Sequence, residues 1–242
     1  RMYDVDIIFR PNTLIGPTIT IDDMFRDGYE AIFIGTGVWK PNTLKIPGET
    51  LGNVHFAIDY LKNPDSYTEL GNKIVIIGAG NVAIDVARTI LRKNRCNVDI
   101  IFNREEHLMT ALKEQIALAK IDGVTFHYFL ETKKIVDDGV IVNPVKIVDG
   151  HYVEDESKQH KISATSVLIA VGQGALSNIV KNTKNIDTQE KGLVVATEKG
   201  QTTRPGVYAA GDVVSGAKTV AEAVAATKLV ADEMDEYIQS IK

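Results

Sequence analysis

The chain has 242 residues, 44% of them hydrophobic, a formal net charge of −5 and a single cysteine, Cys96. That length suffices for one or two packed domains burying about 70–75% of the unfolded surface. The interspersed charge offers no basic face for nucleic acid, no apolar run nears the ~20 residues a bilayer needs, and one cysteine excludes, within these residues, an internal disulfide, a redox-active cysteine pair and a four-cysteine iron–sulfur cluster.

Residues 5–9 read as a short strand, and Pro11-Asn12-Thr13 and Gly16-Pro17 as turns. Residues 20–24 suggest a capped helical turn, and residues 29–34 a buried strand that ends in Gly35-Thr36-Gly37. Pro41 and Ile46-Pro47-Gly48 follow, residues 53–61 predict a short helix, and Asn63-Pro64 opens a connection. The first residue is Arg1, and the opening segment reads as the middle of a domain, so a fragment of a longer, cytoplasmic protein is expected.

Ile74-Val75-Ile76-Ile77-Gly78-Ala79-Gly80-Asn81-Val82-Ala83-Ile84-Asp85 organises the chain. Four aliphatic residues predict a strand buried on both faces, and Ala83, Val86, Ala87, Ile90 and Leu91 recur with the period of one helix face. Between them, Gly78 permits a tight turn, Gly80 lets backbone approach a pyrophosphate, and Ala83 lets helix and strand pack closely. Unpaired amides and the helix dipole would face the anion, a contribution of about 0.3–1 kcal/mol when exposed and up to about 2 when partly buried. Small residues can also serve helix packing alone, but the strand–turn–helix context and a second strand at 98–102 favour dinucleotide binding, with Ala79, Asn81 and Val82 in the loop.

After that strand comes Asn103-Arg104-Glu105-Glu106, then an amphipathic helix over 108–121 with Leu112, Ile116 and Ala119 inward, stopped by Asp122-Gly123. Residues 124–129 alternate as a strand. Residues 134–136 and 140–142 form a hairpin about Asp138-Gly139, Asp149-Gly150 marks another turn, and polar residues 155–161 form an exposed loop of this β-meander. Residues 166–171 predict a buried strand ending in Gly172-Gln173-Gly174, of which Gly172 and Gln173 join the cofactor-binding set. A strand at 193–195, the run Gly206-Val207-Tyr208-Ala209-Ala210-Gly211-Asp212 and a helix over 219–238 complete the chain, the helix placing Val220, Ala223, Val224, Thr227, Ala231 and Met234 on one stripe. The histidines at 55, 107, 127, 151 and 160 lack metal-ligand spacing, and Cys96 reads as a plain free thiol.

In such a unit a carboxylate ending the second strand bonds the ribose 2′-hydroxyl of NAD, whereas an arginine nearby accommodates the 2′-phosphate of NADP. Asp99 has nearly the required separation but lies early in its strand, while the strand's end carries Asn103 and Arg104. The pattern favours NADPH, with NADH as the alternative. A charge-assisted bond of about 1.5–3 kcal/mol from Arg104 would give a roughly ten- to hundredfold preference. The plainer reading is an ion pair of Arg104 with Glu105 or Glu106.

Three motifs now stand in order: Ile34-Gly35-Thr36-Gly37 with Ile46-Pro47-Gly48-Glu49, then the Gly78 turn, then the run ending Gly211-Asp212. Together they resemble the flavoproteins with two dinucleotide-binding domains, and most of all the small (beta) subunit of NADPH-dependent glutamate synthase and its relatives. The resemblance implies an α/β fold in which a Rossmann-like NAD(P)H domain, about residues 61–174, interrupts a partial FAD domain formed by residues 1–60 and 175–242. It places the family's first glycine-rich turn and cysteine-rich region before Arg1, so FAD is assigned to the parent protein and this fragment alone is expected to be inactive. It implies that Asp212 binds the flavin ribityl chain and that the helix starting at Thr219 and Val220 points its N-terminus at the flavin; read alone, Asp212 is a turn or cap residue. Where relatives commonly carry two adjacent arginines, this chain has Asn103-Arg104.

The activity so implied is reduction of FAD by NADPH and onward electron transfer to a larger partner subunit or redox acceptor. The cofactors carry that chemistry, so no catalytic side chain is nominated. The competing expectations are a nucleotide-binding or electron-transfer scaffold with no activity of its own, and a flavin-free NAD-dependent dehydrogenase.

Overall fold

The computed structural model describes residues 6–93, 96–176, 178–189 and 191–242. In chain order its elements are α1 (Ile21–Arg26), β1 (Ile32–Ile34), β2 (Lys40–Pro41), β3 (Val54–Phe56), α2 (Ala57–Lys62), β4 (Lys73–Ile77), α3 (Asn81–Lys93), β5 (Asn97–Ile101), α4 (Lys113–Asp122), β6 (Thr125–His127), β7 (Leu130–Val136), β8 (Gly139–Val148), β9 (His151–Glu154), β10 (His160–Ser163), β11 (Ser166–Ile169), β12 (Gln173–Gly174), α5 (Asn178–Lys181), β13 (Val207–Ala209), α6 (Asp212–Ser215) and α7 (Val220–Ser240). They gather into two compact units: Pro41–Gly172, and the residues up to Lys40 together with Gln173–Lys242. The sequence reading set its joints near residues 60 and 174. The fold class is α/β, Rossmann-like, as expected.

In the Pro41–Gly172 unit five parallel strands run in the order β3-β11-β4-β5-β6. The run 74–77 is apolar throughout because both faces of β4 are covered. Ile74 and Ile76 join a core with Val86, Ala87 and Ile90 of α3 and Ile116 of α4, while Val75 and Ile77 join one with Ile135, Val140, Val142 and Ile162 of an antiparallel sheet. Ile74, Ile76, Ile84, Ile90 and Ile100 are fully buried, each burial contributing about 1.5–3 kcal/mol. In the antiparallel sheet β8 pairs with β7, with β10 and, over its second half, with β9. Asp149 and Gly150, both at positive φ (50° and 79°), close β8 onto β9 in the two-residue primed turn that only such residues accept readily.

In the other unit β1 and β13 pair in parallel, with Ile34 opposite Ala209. Ile21, Ile32, Ile34, Val180, Ile186, Val194, Val207 and Val213 form its main core, and Tyr208, Ala210 and Val230 a smaller one beneath α7. Both α1 and α7 start with capping boxes, Thr20 with Asp23 and Thr219 with Glu222.

Several sequence expectations are corrected. Val5 lies outside the described residues, and Ile7, Ile8 and Phe9 form no strand and are exposed. Of 29–34 only β1 is strand. Residues 54–56, expected in a helix, extend the sheet as β3 because Val54 pairs with Val167 of β11. The helix expected over 108–121 starts only at Lys113: Ala111 donates to Ala79 O (3.1 Å) and Leu112 to Asn81 Oδ1 (3.0 Å), which holds the preceding segment extended and turns Leu112 outward. The first hairpin turn is Asp137-Asp138, with Gly139 opening β8, where an added Cβ would overlap Ile162 O. Residues 193–195 make only an isolated bridge, Val194 to Thr188. On α7 the inward stripe is Ala223, Ala226, Thr227, Val230, Met234 and Tyr237, while Val220, Val224 and Ala231 are exposed. That helix is apolar around much of its girth, so periodicity did not fix its phase.

Candidate functional site

At the end of β4 the chain turns through Gly78 into α3. Gly78 has φ 140°, donates its N–H to Ile101 O of β5 (3.1 Å), and a Cβ there would overlap Ala170 O beyond β11. Its bareness therefore serves packing between strands. Gly80 differs: the nearest atom to a Cβ there is Thr110 Oγ1, at 3.5 Å, so its side is open. The first bonded amides of α3 are those of Ala83 and Ile84, both to Gly80 O. Among the described residues the amides of Gly80, Asn81 and Val82 have no acceptor, and they occupy the positive end of a 13-residue helix. Ala83 is fully buried beneath them. Val82 is half-buried against the core, and Ala79 is buried and accepts from Ala111.

Neighbouring strands bring two more residues to the same edge. Arg104 follows β5, where Ile101 lies opposite Ile77, and Gly172 follows β11, where Ile169 lies opposite Ile77. The chain runs from β4 to β5 and β6 on one side and returns to β11 on the other, so the Gly78 turn lies at the switch point, beyond the carboxyl ends of the strands, where open α/β sheets bind ligands. Gly172, at φ 90°, accepts from Asn42 N–H (3.1 Å). Gln173 begins the other unit.

Arg104 pairs with neither acidic neighbour, against the plainer reading of it. Its guanidinium stacks on Tyr152, 5.0 Å from the ring centroid. Glu106 is bound by Lys120 Nζ (2.7 and 2.6 Å) and Tyr128 Oη (2.7 Å), and those hydrogen bonds hold its carboxyl below the usual range. Glu105 accepts from Tyr152 Oη at 2.9 Å, and Asn103 Nδ2 donates to Glu131 at 2.7 Å. Asp99 sits mid-strand, its Oδ2 3.4 Å from His127 Nε2.

In the other unit Gly35, Thr36 and Gly37 follow β1, and Gly211 and Asp212 follow the paired β13, again past carboxyl ends. Gly211 has φ 77° and caps α6. Asp212 Oδ1 accepts from Lys218 N–H at 3.1 Å. Beside them lies an open cavity of about 540 Å³, lined by Ala196, Ala210, Gly211, Lys218, Glu222 and Ala223 among others. Thr219 caps α7, and its hydroxyl and amide hold the Glu222 carboxyl below its ordinary range. Val220, the first residue of α7, is 81% exposed.

The family described as pyridine nucleotide-disulphide oxidoreductase matches residues 4–227. The chain belongs to this family. The chain is 30% identical over 94% of its length to the beta subunit of an NADP(+)-dependent formate dehydrogenase from Moorella thermoacetica, covering 34% of that protein. It is 28% identical over 93% of its length to the glutamate synthase (NADPH) small chain of Halomonas elongata, covering 53% of it. The chain thus spans about a third to a half of these relatives. In fold it is similar to Mycobacterium tuberculosis FprA in complex with NADPH (TM-score 0.76, 16% identity, 95% of this chain and 68% of that one) and to T. acidophilum thioredoxin reductase (0.68, 24%, 88% and 66%).

The disulphide in the family's description finds no counterpart within these residues, since Cys96 is free and half-buried, with burial pushing its thiol up. Among the described residues no cluster of His, Cys, Asp or Glu could hold a metal, and no helix is long and apolar enough to cross a membrane. Sequence reasoning did not find that Tyr152 lies against Arg104 or that Thr110 lies beside Gly80. Neither lies in a glycine motif, and only the turn at Asp149-Gly150 hinted that a strand end returns near residue 104.

Proposed function

We propose that the chain is the dinucleotide-handling part of an NADPH-dependent flavoprotein oxidoreductase of the glutamate synthase small-subunit type, passing electrons to a partner subunit or redox acceptor. The observation that carries this reading is the meeting of open Gly80, the three acceptor-free amides and Arg104 at one switch point. The amides of Gly80, Asn81 and Val82 bind the pyrophosphate, and Arg104 bonds the 2′-phosphate. Gly78, Ala79 and Gly172 shape the turn. In the other unit the cavity volume lies within the ~300–1,000 Å³ typical of cofactor pockets, so its residues fit part of a flavin. Asp212, with Oδ1 taken by Lys218, keeps Oδ2 to accept from a ribityl hydroxyl; Gly35, Thr36, Gly37, Gln173, Gly211, Thr219 and Val220 complete that set. NADPH and FAD supply hydride donation and electron storage when bound, and the chain's part is to hold and orient them.

Calorimetric titration with NADPH and then NADH tests the nicotinamide half. NADPH binding about ten- to a hundredfold tighter than NADH, with the preference lost in Arg104→Ala while NADH binding persists, is expected. Equal binding, or an unchanged preference in the variant, would remove Arg104 from the role. Dye reduction by NADPH with added FAD, in the full-length protein, tests the enzyme reading against that of an inert scaffold.

A further inference from the structure

We propose that Tyr152 determines which nicotinamide dinucleotide is preferred, by positioning Arg104 for a phosphate while holding Glu105 away from the same place. This rests on the reading of the β5 end as the ribose site. That end offers a cation and a carboxylate side by side, and the two make opposite choices: arginine accepts a 2′-phosphate, and a carboxylate accepts from a 2′-hydroxyl and repels the phosphate. Their partners decide which acts. Asn103 is bound to Glu131 and Glu106 to Lys120 and Tyr128, which leaves Arg104 and Glu105 as the pair in question.

Both of these are held by one side chain. The Tyr152 ring lies 5.0 Å from Arg104 Cζ, and its hydroxyl donates to Glu105 Oε2 at 2.9 Å. The other Glu105 oxygen is 3.7 Å from His107 Nε2. Stacking restrains the plane of a guanidinium without using its N–H donors, so Arg104 stays armed for a bidentate acceptor. Among the described residues it makes no ion pair. The hydroxyl occupies one oxygen of the carboxylate that would otherwise compete.

Tyr152 is carried on a strand hydrogen-bonded to β8. It sits in β9 opposite Ile147, one residue beyond the Asp149-Gly150 turn's exit at His151. At the far end of β9, Glu154 accepts from buried Asn143 Nδ2 (3.1 Å) and pairs with Lys133 (3.0 Å). Phe129 N–H bonds Arg104 O (3.4 Å) and Leu130 N–H bonds Phe102 O (3.1 Å), so the segment carrying Arg104 is fastened to the same sheet.

The test is the ratio of NADH to NADPH dissociation constants, measured by calorimetry on the purified protein, with thermal melts to confirm folding. Tyr152→Phe keeps the stack and frees Glu105; the NADPH preference should fall about three- to tenfold, and Glu105→Gln added to it should restore the preference. Tyr152→Ala should cost about tenfold or more of the preference. A purely structural role for Tyr152 would weaken both dinucleotides alike and would not be rescued by Glu105→Gln, so either result overturns the proposal. A wild type that prefers NADPH through Arg104, with ratios unchanged in both Tyr152 variants, overturns this proposal and leaves the proposed function standing. A wild type that binds neither dinucleotide, or prefers NADH, overturns both.

Discussion

The chain contains two glycine turns after parallel strands, Gly78-Ala79-Gly80 and Ala210-Gly211-Asp212, and they rest on unequal support. The first closes the middle strand of a five-stranded sheet covered on both faces. The second closes one strand of a pair, with an open alanine-lined cavity beside it and Val220 and Val224 of the following helix exposed. A two-stranded sheet has little stability of its own. The difference teaches that a glycine motif prescribes a local path, while the rigidity of the site comes from what lies under and over it. In the first turn one glycine is required by the fold and another has an open side; in the second, Gly211 is required mainly by its own φ.

The largest effect should come from forcing a side chain onto the covered turn. Gly78→Val places atoms on the Ala170 carbonyl and demands φ near 140° of a β-branched residue, and we expect a loss of about 3 kcal/mol or more in the unfolding free energy. Denaturant unfolding measures it. Gly211→Ala meets only Ala223 Cβ at 3.7 Å, so backbone strain at φ 77° and ψ −154° acts alone, and about 1–3 kcal/mol is expected. Equal losses at the two positions would erase the contrast between the turns.

Gly80→Ala sharpens the same comparison from the ligand's side. With room for a Cβ and no positive φ, its stability should stay within about 0.5 kcal/mol of wild type, yet a methyl between the amides and a pyrophosphate should weaken NADPH by about tenfold or more. If stability fell instead and binding survived, Gly80 would be a packing residue like Gly78.

The strand–turn–helix around Gly78 was legible because its apolar run, its glycines and its helix period all demand one geometry. The capped start at Thr20 and the turn at Asp149-Gly150 were legible for similar reasons, each being set by a few adjacent residues. What stayed hidden was set across space. Nothing local announces that Val54 will pair with Val167, that Asn81 will tether Leu112 and delay α4, or that Tyr152 will cover Arg104 from 48 positions along the chain. The phase of α7 failed for the opposite reason, because too many of its positions are apolar for burial to be read from type alone.

The smallest expected effect separates the two units by pH. Arg88, which hydrogen-bonds Asp122 at 2.7 Å across α3 and α4, holds that carboxyl below its usual range, as Thr219 does for Glu222 at the start of α7. A carboxyl lowered in the folded state contributes stability that is fully present above its unfolded value, about 4, and is lost as pH falls through the lower folded value. Acidification below about pH 4 should therefore weaken both contacts, and Asp122→Asn and Glu222→Gln should each flatten part of that dependence. The readouts should differ. Asp122 ties helices of the covered unit, so its variant should shift the main melting transition, whereas Glu222 closes only an exposed helix end, so its variant should speed amide exchange in the first turn of α7 and leave that transition in place. A shift of the main transition by Glu222→Gln would mean that α7 is as integral to its unit as α3 is to the other.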